Sequence, residues 1–473
     1  MVSKIKSLKF QLIKDKILSF FSREDREKLP SERELCELFK VSRTTIRKAL
    51  AELEKSRLIS RKVGSGTFII SKKRSQLIWF LCVGTPPQLL SFFEREINSF
   101  MNERYNVDIR LLHIDARRLA DEIRVRTGIK IILAPNFGYL IATRMLFPLN
   151  EMEDFTDCLS YINSNYIEWY SSAKERKSCY SIPLFVDTEV FAVNVKLAEE
   201  LGIPLPPINW DDIIKWLNRV GKERFSGRKI KGGLLAKTGR NAVNPPPIAY
   251  YISASQGKHF IINEEGQTKF DFAVGNKWLD FFKSCHQSGE IFYESECSEI
   301  SPLFGNDILF AFKVGSWIIQ QKHLFPSSPL ELFFIPSPPG IKGNYSLISS
   351  LGMGIINDAV IHRNALHIAW DFIKKLVCSV DVQRRLVENY FGISINTEIF
   401  SEQKSKKEYI PFIQSLSMGT MRSDHPAQHG ILKVMRIYFD KVIKGELSVN
   451  DACSQIQEIG ELQIEIENER FLV

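Results

Sequence analysis

Between Leu29 and Phe68 apolar residues recur twice at helical spacing and then give way to two short extended runs. Pro30, Ser31 and Glu34 have the spacing of a capping box, in which a serine hydroxyl and a glutamate carboxylate satisfy free amides at a helix start. Leu35, Leu38 and Phe39 supply the apolar face behind that start. Ser42 is placed to cap a second helix whose Ile46, Ala49, Leu50 and Leu53 face inward, leaving Arg43, Thr44 and Arg47 on or near the outer face of its first turns. The run "LISRKVGSGTFII" then reads as two strands around a Gly64-Ser65-Gly66 turn, with Arg61 and Lys62 beside it.

Residues 71–76, "SKKRSQ", are polar and basic without apolar periodicity and read as a linker. The pattern beyond them is different in kind. "LIWFLCV" is an expected strand, residues 89–102 have helical apolar spacing, "VDIRLLHI" alternates as a strand, residues 117–126 look helical and "IKIILA" is a buried strand. Strands alternating with helices predict a parallel sheet covered on both faces.

With 473 residues, 44% hydrophobic and 25% charged, the composition is that of a globular chain long enough for two or three domains. Its longest apolar stretches fall far short of the roughly 20 residues that span a bilayer. Charges at Lys9, Lys14, Asp15 and Lys16 interrupt any signal-peptide core, so the expected location is the cytoplasm, with no membrane partner. Eight cysteines, among them Cys36, Cys158, Cys179 and Cys378, lack C-x-x-C spacing and read as reduced core thiols. Neither a metal site nor a cofactor is expected.

Charge is unevenly placed. Residues 1–76 hold 20 Lys and Arg against 9 Asp and Glu, a net of +11; the whole chain is +8, which leaves −3 for the remainder. A basic unit joined to a larger domain of different character points to nucleic-acid binding at the front. Two helices with cations and hydroxyls at the start of the second, followed by a basic hairpin, form a winged helix-turn-helix pattern, whose recognition helix enters the major groove by its N-terminal residues.

At these residues the chain resembles, over about residues 8–70, the winged helix-turn-helix domain of GntR-family bacterial transcription regulators, with "LPSERELCELFKVSRTTIRKAL" and "GSGTF" carrying the likeness. Ser56-Arg57 stand where that family usually has a glycine before the wing. The resemblance implies that Arg33, Arg43, Thr44, Thr45 and Arg47 touch phosphates and bases of operator DNA and that Gly64 at the wing tip approaches the minor groove. A homodimer on two half-sites is the usual arrangement for such motifs.

Residues 77–473 resemble bacterial extracellular solute-binding proteins of the sugar-binding type. The likeness rests on "YSIPLFVDTEVFAVNVKLAEELGIPLPPINWDDIIKWLNRV", "LFAFKVGSWII", "IPSPPG" followed by "SSLGMGI", and "ALHIAWDFIKKLVCSVDVQRRL", in that order. It implies a periplasmic-binding-protein-like domain of two α/β lobes, with chain crossings expected near 182–194, 333–336 and 378–383 and a small-molecule effector held between the lobes. A sugar ring stacks on aromatic faces and its hydroxyls need carboxylates and amides. By that chemistry and the resemblance, the expected ligand residues are Trp317 in "GSW", Asp187 and Glu189 at the first crossing, and Phe137 in "APNFG". The "GTPPQ" after the first strand departs from the richer Trp and Tyr lining of many oligosaccharide binders.

Catalytic patterns carry less. Ser171-x-x-Lys174 has the spacing of a serine nucleophile beside a lysine but lacks the accompanying elements, and His425 with His429 sits around Pro426 without a third ligand. The chain is therefore expected not to be an enzyme. A second GntR arrangement, in which a pyridoxal-phosphate aminotransferase-like domain follows the winged helix, is the alternative; it would need a Schiff-base lysine and a pyridine-binding Asp, and no convincing set is legible. The expected architecture is an N-terminal winged helix-turn-helix at 1–70, a linker at 71–76 and a ligand-sensing domain at 77–473.

Overall fold

The computed structural model describes residue 17 and residues 28–55, 59–62, 66–69, 76–85, 87–103, 107–115, 118–135, 137–170, 177–207, 209–225, 230, 232–237, 259–264, 267–288, 291–294, 308–316, 318–319, 329–333, 346–357, 363–389, 392–421 and 425–472. The chain divides into two compact units, residues 1–78 with 97–109 and residues 79–96 with 110–473.

In the first unit, α1 (Glu32–Phe39) starts at the predicted capping box: Glu34 accepts the Ser31 amide at 2.7 Å through its carboxylate, and the Ser31 hydroxyl accepts the Glu34 amide at 3.4 Å. The helix stops at Lys40, whose φ of 51° is left-handed. The Ser42 hydroxyl accepts the Thr45 amide at 3.3 Å ahead of α2 (Arg43–Lys55). Leu35, Ile46, Ala49, Leu50 and Leu53 are buried together with Ile17, Leu29 and Ile59. Leu38, expected on that apolar face, is instead 46% exposed, because the core is already closed by Leu35 and the second helix. The wing is β1 (Ile59–Lys62) antiparallel to β2 (Gly66–Ile69), with Ile59 opposite Ile69 and Lys62 opposite Gly66. Leu29 extends it by donating its amide to the Thr67 carbonyl at 2.8 Å.

The α/β portion follows the predicted alternation: β3 (Gln76–Val83), α3 (Pro87–Glu103), β4 (Val107–Ile114), α4 (Leu119–Val125), β5 (Ile129–Ala134), α5 (Gly138–Ala142) and α6 (Phe155–Ser160). The expected linker lies outside the described residues apart from Gln76, which opens β3. Next come β6 (Ile182–Asp187), β7 (Val190–Asn194), α7 (Val195–Glu200), α8 (Trp210–Phe225), β8 (Gly232–Lys237), β9 (Ile261–Glu264), β10 (Gln267–Phe270), α9 (Gly275–Gln287), β11 (Ile291–Glu294), β12 (Ile308–Val314) and β13 (Leu330–Phe333). The chain continues through β14 (Ser346–Ile355), α10 (Arg363–Cys378), α11 (Val380–Asn389), β15 (Ile393–Ser394), α12 (Thr397–Lys404), α13 (Ile410–Ser417), β16 (Gly419–Met421), α14 (Gln428–Ile443) and α15 (Val449–Leu472).

These strands make two large sheets. One has the order β15-β6-β14-β5-β3-β4, with β16 on β14; the other has the order β11-β8-β12-β7-β13. Each is the centre of one lobe. The sheets are mixed rather than parallel: β14, returning from the other lobe, runs antiparallel to both β5 and β6, and β7 runs antiparallel to β12 and β13. The second lobe's core joins Phe191, Trp216, Phe260, Trp278 and Phe282 to Ile431, Met435 and Phe439 of α14 and Ile456 and Ile464 of α15.

The chain passes between lobes where β6 gives way to β7 and again between β13 and β14. The crossing expected at 378–383 is corrected by the structure. Residues 378–383 join α10 to α11, and these helices pack on β5, β6, β14 and β15 of the seven-stranded lobe. The third passage lies instead between β16, paired with β14, and α14, packed on α9 in the other lobe.

Candidate functional site

Two places in the molecule combine polar side chains with geometry that suits binding. The first is the start of α2, where Arg43 and Arg47 are 67% and 60% exposed. Both reach the same carboxylate: Nε of Arg47 donates to Glu32 at 2.8 Å and Nε of Arg43 donates to it at 3.3 Å. The Arg47 hydrogen bond, with help from Arg43, holds the Glu32 carboxyl below its usual range despite its partial burial. Glu32 therefore parks two cations side by side over the helix start. Sequence reasoning missed it because the pairing spans eleven and fifteen residues, and Glu32 is one of three glutamates on α1 with no local mark of its partners. Thr44 is exposed, whereas the Thr45 hydroxyl is engaged with that of Ser42 at 2.9 Å. Arg33 is exposed on α1 and pairs with Glu37 at 3.2 Å. Gly64 lies outside the described residues.

What the arrangement supplies is a row of exposed guanidinium groups at the start of a helix of a width that a duplex groove admits. The Glu32 pairs are exposed and weak, on the order of 0–1 kcal/mol each, so a phosphate or a guanine edge can displace them.

The second place is the passage from β6 to β7. Asp187 ends β6, and one of its oxygens accepts the Thr188 amide at 2.9 Å and the Ser316 amide at 2.9 Å; the other lies 3.2 Å from the same Ser316 amide. Ser316 follows β12 in the five-stranded lobe, and its hydroxyl in turn accepts the Gly392 amide, beside β15 of the seven-stranded lobe, at 2.9 Å. A continuous polar link thus ties the two lobes through Asp187, Ser316 and Gly392. Burial pushes the Asp187 carboxyl up to about 6, against the opposing pull of the Ser316 and Thr188 donors. Around it, the Thr188 hydroxyl reaches the Leu347 carbonyl at 3.2 Å, Ser349 donates to the Asp187 carbonyl at 3.3 Å, and Ser415 donates to the Glu189 carbonyl at 3.1 Å.

The predicted ligand residues fall differently on this frame. Asp187 is partly exposed, and its carboxylate accepts the Thr188 and Ser316 amides and so fastens the crossing. Glu189 is buried beside it, with its carbonyl held by Ser415. Phe137 lies in the seven-stranded lobe. The residue is 3% exposed in a core with Leu81, Ile132 and Leu146, and a Cβ on Gly352 would come within 2.9 Å of its ring, so glycine there lets the ring approach β14 closely. Trp317 lies outside the described residues, next to the anchored Ser316. Ser316, Ser349, Ser415 and Gly392 were not singled out in the sequence, since single serines and glycines carry no local signal of a partner 76 to 226 residues away.

Among the described residues no group of three metal-binding side chains comes together, and no helix is long and apolar enough to cross a membrane. Residues 10–69 match the model for bacterial regulatory proteins of the gntR family. Solved structures extend the likeness over the rest. The GacH receptor of Streptomyces glaucescens, known unliganded and with acarbose, covers 82% of this chain and 99% of its own at 13% identity and a TM-score of 0.64. The maltose/maltodextrin-binding domain MalE of Bdellovibrio bacteriovorus, bound to maltotriose, covers 82% and 99% at 17% identity and a TM-score of 0.62. The sugar-binding protein MalE of Xanthomonas citri covers 84% and 99% at 14% identity and a TM-score of 0.64. Identities this low carry the fold alone. The chain thus bears a winged helix-turn-helix DNA-binding domain of the GntR type at residues 10–69, followed by a mixed α/β domain with the two-lobed fold of maltose-binding-protein-like structures.

Proposed function

We propose that the protein is a ligand-responsive bacterial transcription regulator, acting in the cytoplasm as a homodimer. Residues 1–70 bind double-stranded operator DNA, residues 71–76 link, and residues 77–473 sense a sugar or oligosaccharide between the two lobes. The observation that carries this reading is the presence, in one chain, of a GntR-type domain and a fold whose solved examples hold acarbose or maltotriose. The same fold disfavours the aminotransferase-like alternative and a catalytic role.

On the DNA side, Arg33, Arg43, Thr44, Thr45, Arg47 and Gly64 are the contact set, with Arg43 and Arg47 released from Glu32 as they meet the groove. On the ligand side Trp317 is assigned the stacking ring. It follows Ser316, whose amide and hydroxyl are both anchored at the crossing. A ligand shifts such a protein only through its differential affinity for open and closed lobes, so groups from both lobes must meet it.

Selection of binding sites from random duplexes, followed by footprinting, tests the DNA half. The expected product is a near-palindrome with half-sites about one helical turn apart. Recovery of no preferred sequence would refute it.

A further inference from the structure

We propose that Cys158 and Cys378 form a reversible intramolecular disulfide when the protein meets hydrogen peroxide. Their sulfur atoms are 3.2 Å apart although the residues are 220 positions apart in sequence. Cys158 lies in α6 and is buried; Cys378 is the last residue of α10 and is half-buried, within reach of a small oxidant.

The contact is held from both sides. Trp370 of α10 donates its indole N–H to Asp154 at 2.5 Å, Lys374 also bonds Asp154, and the Phe155 and Trp370 rings stack at 6.1 Å. The helices are therefore fixed against each other about one to two turns from the two sulfurs. A disulfide needs the sulfurs at about 2.05 Å. The sulfurs have to close from 3.2 Å, with Cys158 in the last turn of a six-residue helix and the non-helical Ser379 following Cys378.

Chemistry assigns the roles. The hydrogen bond to Cys158 holds the Cys378 thiol below its usual range against burial, and Lys374, one turn earlier on the helix, adds to this against the opposing charge of Asp154. The same contact and burial keep the proton on Cys158. Cys378 as thiolate attacks one peroxide oxygen; the O–O bond breaks, hydroxide leaves and takes up a proton, and a sulfenic acid remains. Cys158 then attacks the Cys378 sulfur, the S–O bond breaks, and water leaves with the Cys158 proton. Two thiols lose two electrons, which reduce one hydrogen peroxide to two waters. By contrast, burial pushes the Cys179 thiol up to about 12 and that of Cys82 still higher, which leaves both unreactive.

The full-length protein is treated with hydrogen peroxide, digested without reductant and mapped by mass spectrometry. The expected result is loss of two of the eight thiols, a peptide linking 158 to 378, and recovery of both thiols with dithiothreitol. In Cys158→Ser the link is absent and Cys378 accumulates as a dimedone-trapped sulfenic acid; in Cys378→Ser the Cys158 thiol survives the same exposure. Wild-type protein in which Cys378 proceeds to sulfinic acid without the 158–378 link, or equal survival of both thiols, overturns the proposal, and the wild-type map decides this even if a variant does not fold.

Discussion

Asp187→Asn isolates the energetic role of the interlobe link. Burial raises the Asp187 carboxyl from 3.8 to about 6, which corresponds to on the order of 3 kcal/mol between the protonated and ionised forms. The folded state holds this proton more tightly than the unfolded chain. Its contribution to stability is therefore fully present below about pH 4 and is lost as pH rises through about 6. Asparagine keeps an acceptor oxygen for the Thr188 and Ser316 amides but does not titrate; its amide nitrogen, facing the Ser316 N–H where an oxygen now lies at 3.2 Å, costs about 1 kcal/mol independent of pH. Carboxyls held low, such as Glu32 under Arg47 and Arg43 and Asp154 under Lys374 and Trp370, work in the opposite sense but are common to both proteins. Urea unfolding is followed by tryptophan fluorescence, which reports on the α/β portion because all seven tryptophans lie at or beyond Trp79. The variant's stability relative to wild type should rise by about 2–3 kcal/mol between pH 4 and pH 7.5. A difference that does not change with pH would refute the buried-carboxylate account.

Other outcomes follow from particular contacts. Arg43→Ala combined with Arg47→Ala should weaken operator binding, each lost base contact costing about 1–3 kcal/mol in a fluorescence anisotropy titration; unchanged affinity would contradict the assignment. Glu32→Gln frees both guanidinium groups and removes a negative charge, so non-specific duplex binding at low salt should tighten roughly 3–10-fold, read by the same titration. At Gly392, φ is +104° and an added Cβ would lie 2.5 Å from the Phe185 ring, so Gly392→Ala should lower unfolding stability by about 2 kcal/mol or more. A neutral result there would mean that the Ser316 to Gly392 link is not under the constraint its geometry indicates.

Local features of the fold were legible because their causes are local. The capping box at Ser31 and the inward stripe from Ile46 to Leu53 need only neighbours three or four residues away, and the structure has both. The alternation from β3 to β5 was legible for the same reason. The third lobe passage was not, since whether residues 378–383 cross depends on which sheet α11 and β16 join, and that is decided by pairing with β15 and β14. Phe137 looked like a cleft aromatic because its burial is completed by Gly352 and Gly354, over two hundred residues later. Asp187 lies where β6 gives way to β7, yet an amide that claims its carboxylate belongs to Ser316, 129 residues on. The partial burial of Glu32 beneath two arginines is likewise a tertiary fact.

The central claim is that operator and saccharide binding are coupled in one molecule. Calorimetric titration of a panel of mono- and oligosaccharides into the full-length protein, with and without the selected operator duplex, tests it directly. One carbohydrate should bind with an affinity that operator changes by the same factor as that carbohydrate changes operator affinity. Trp317→Ala should weaken that carbohydrate by roughly 2–3 kcal/mol while leaving ligand-free DNA binding near wild type. Binding of no carbohydrate, or saccharide affinity indifferent to operator, would contradict the account.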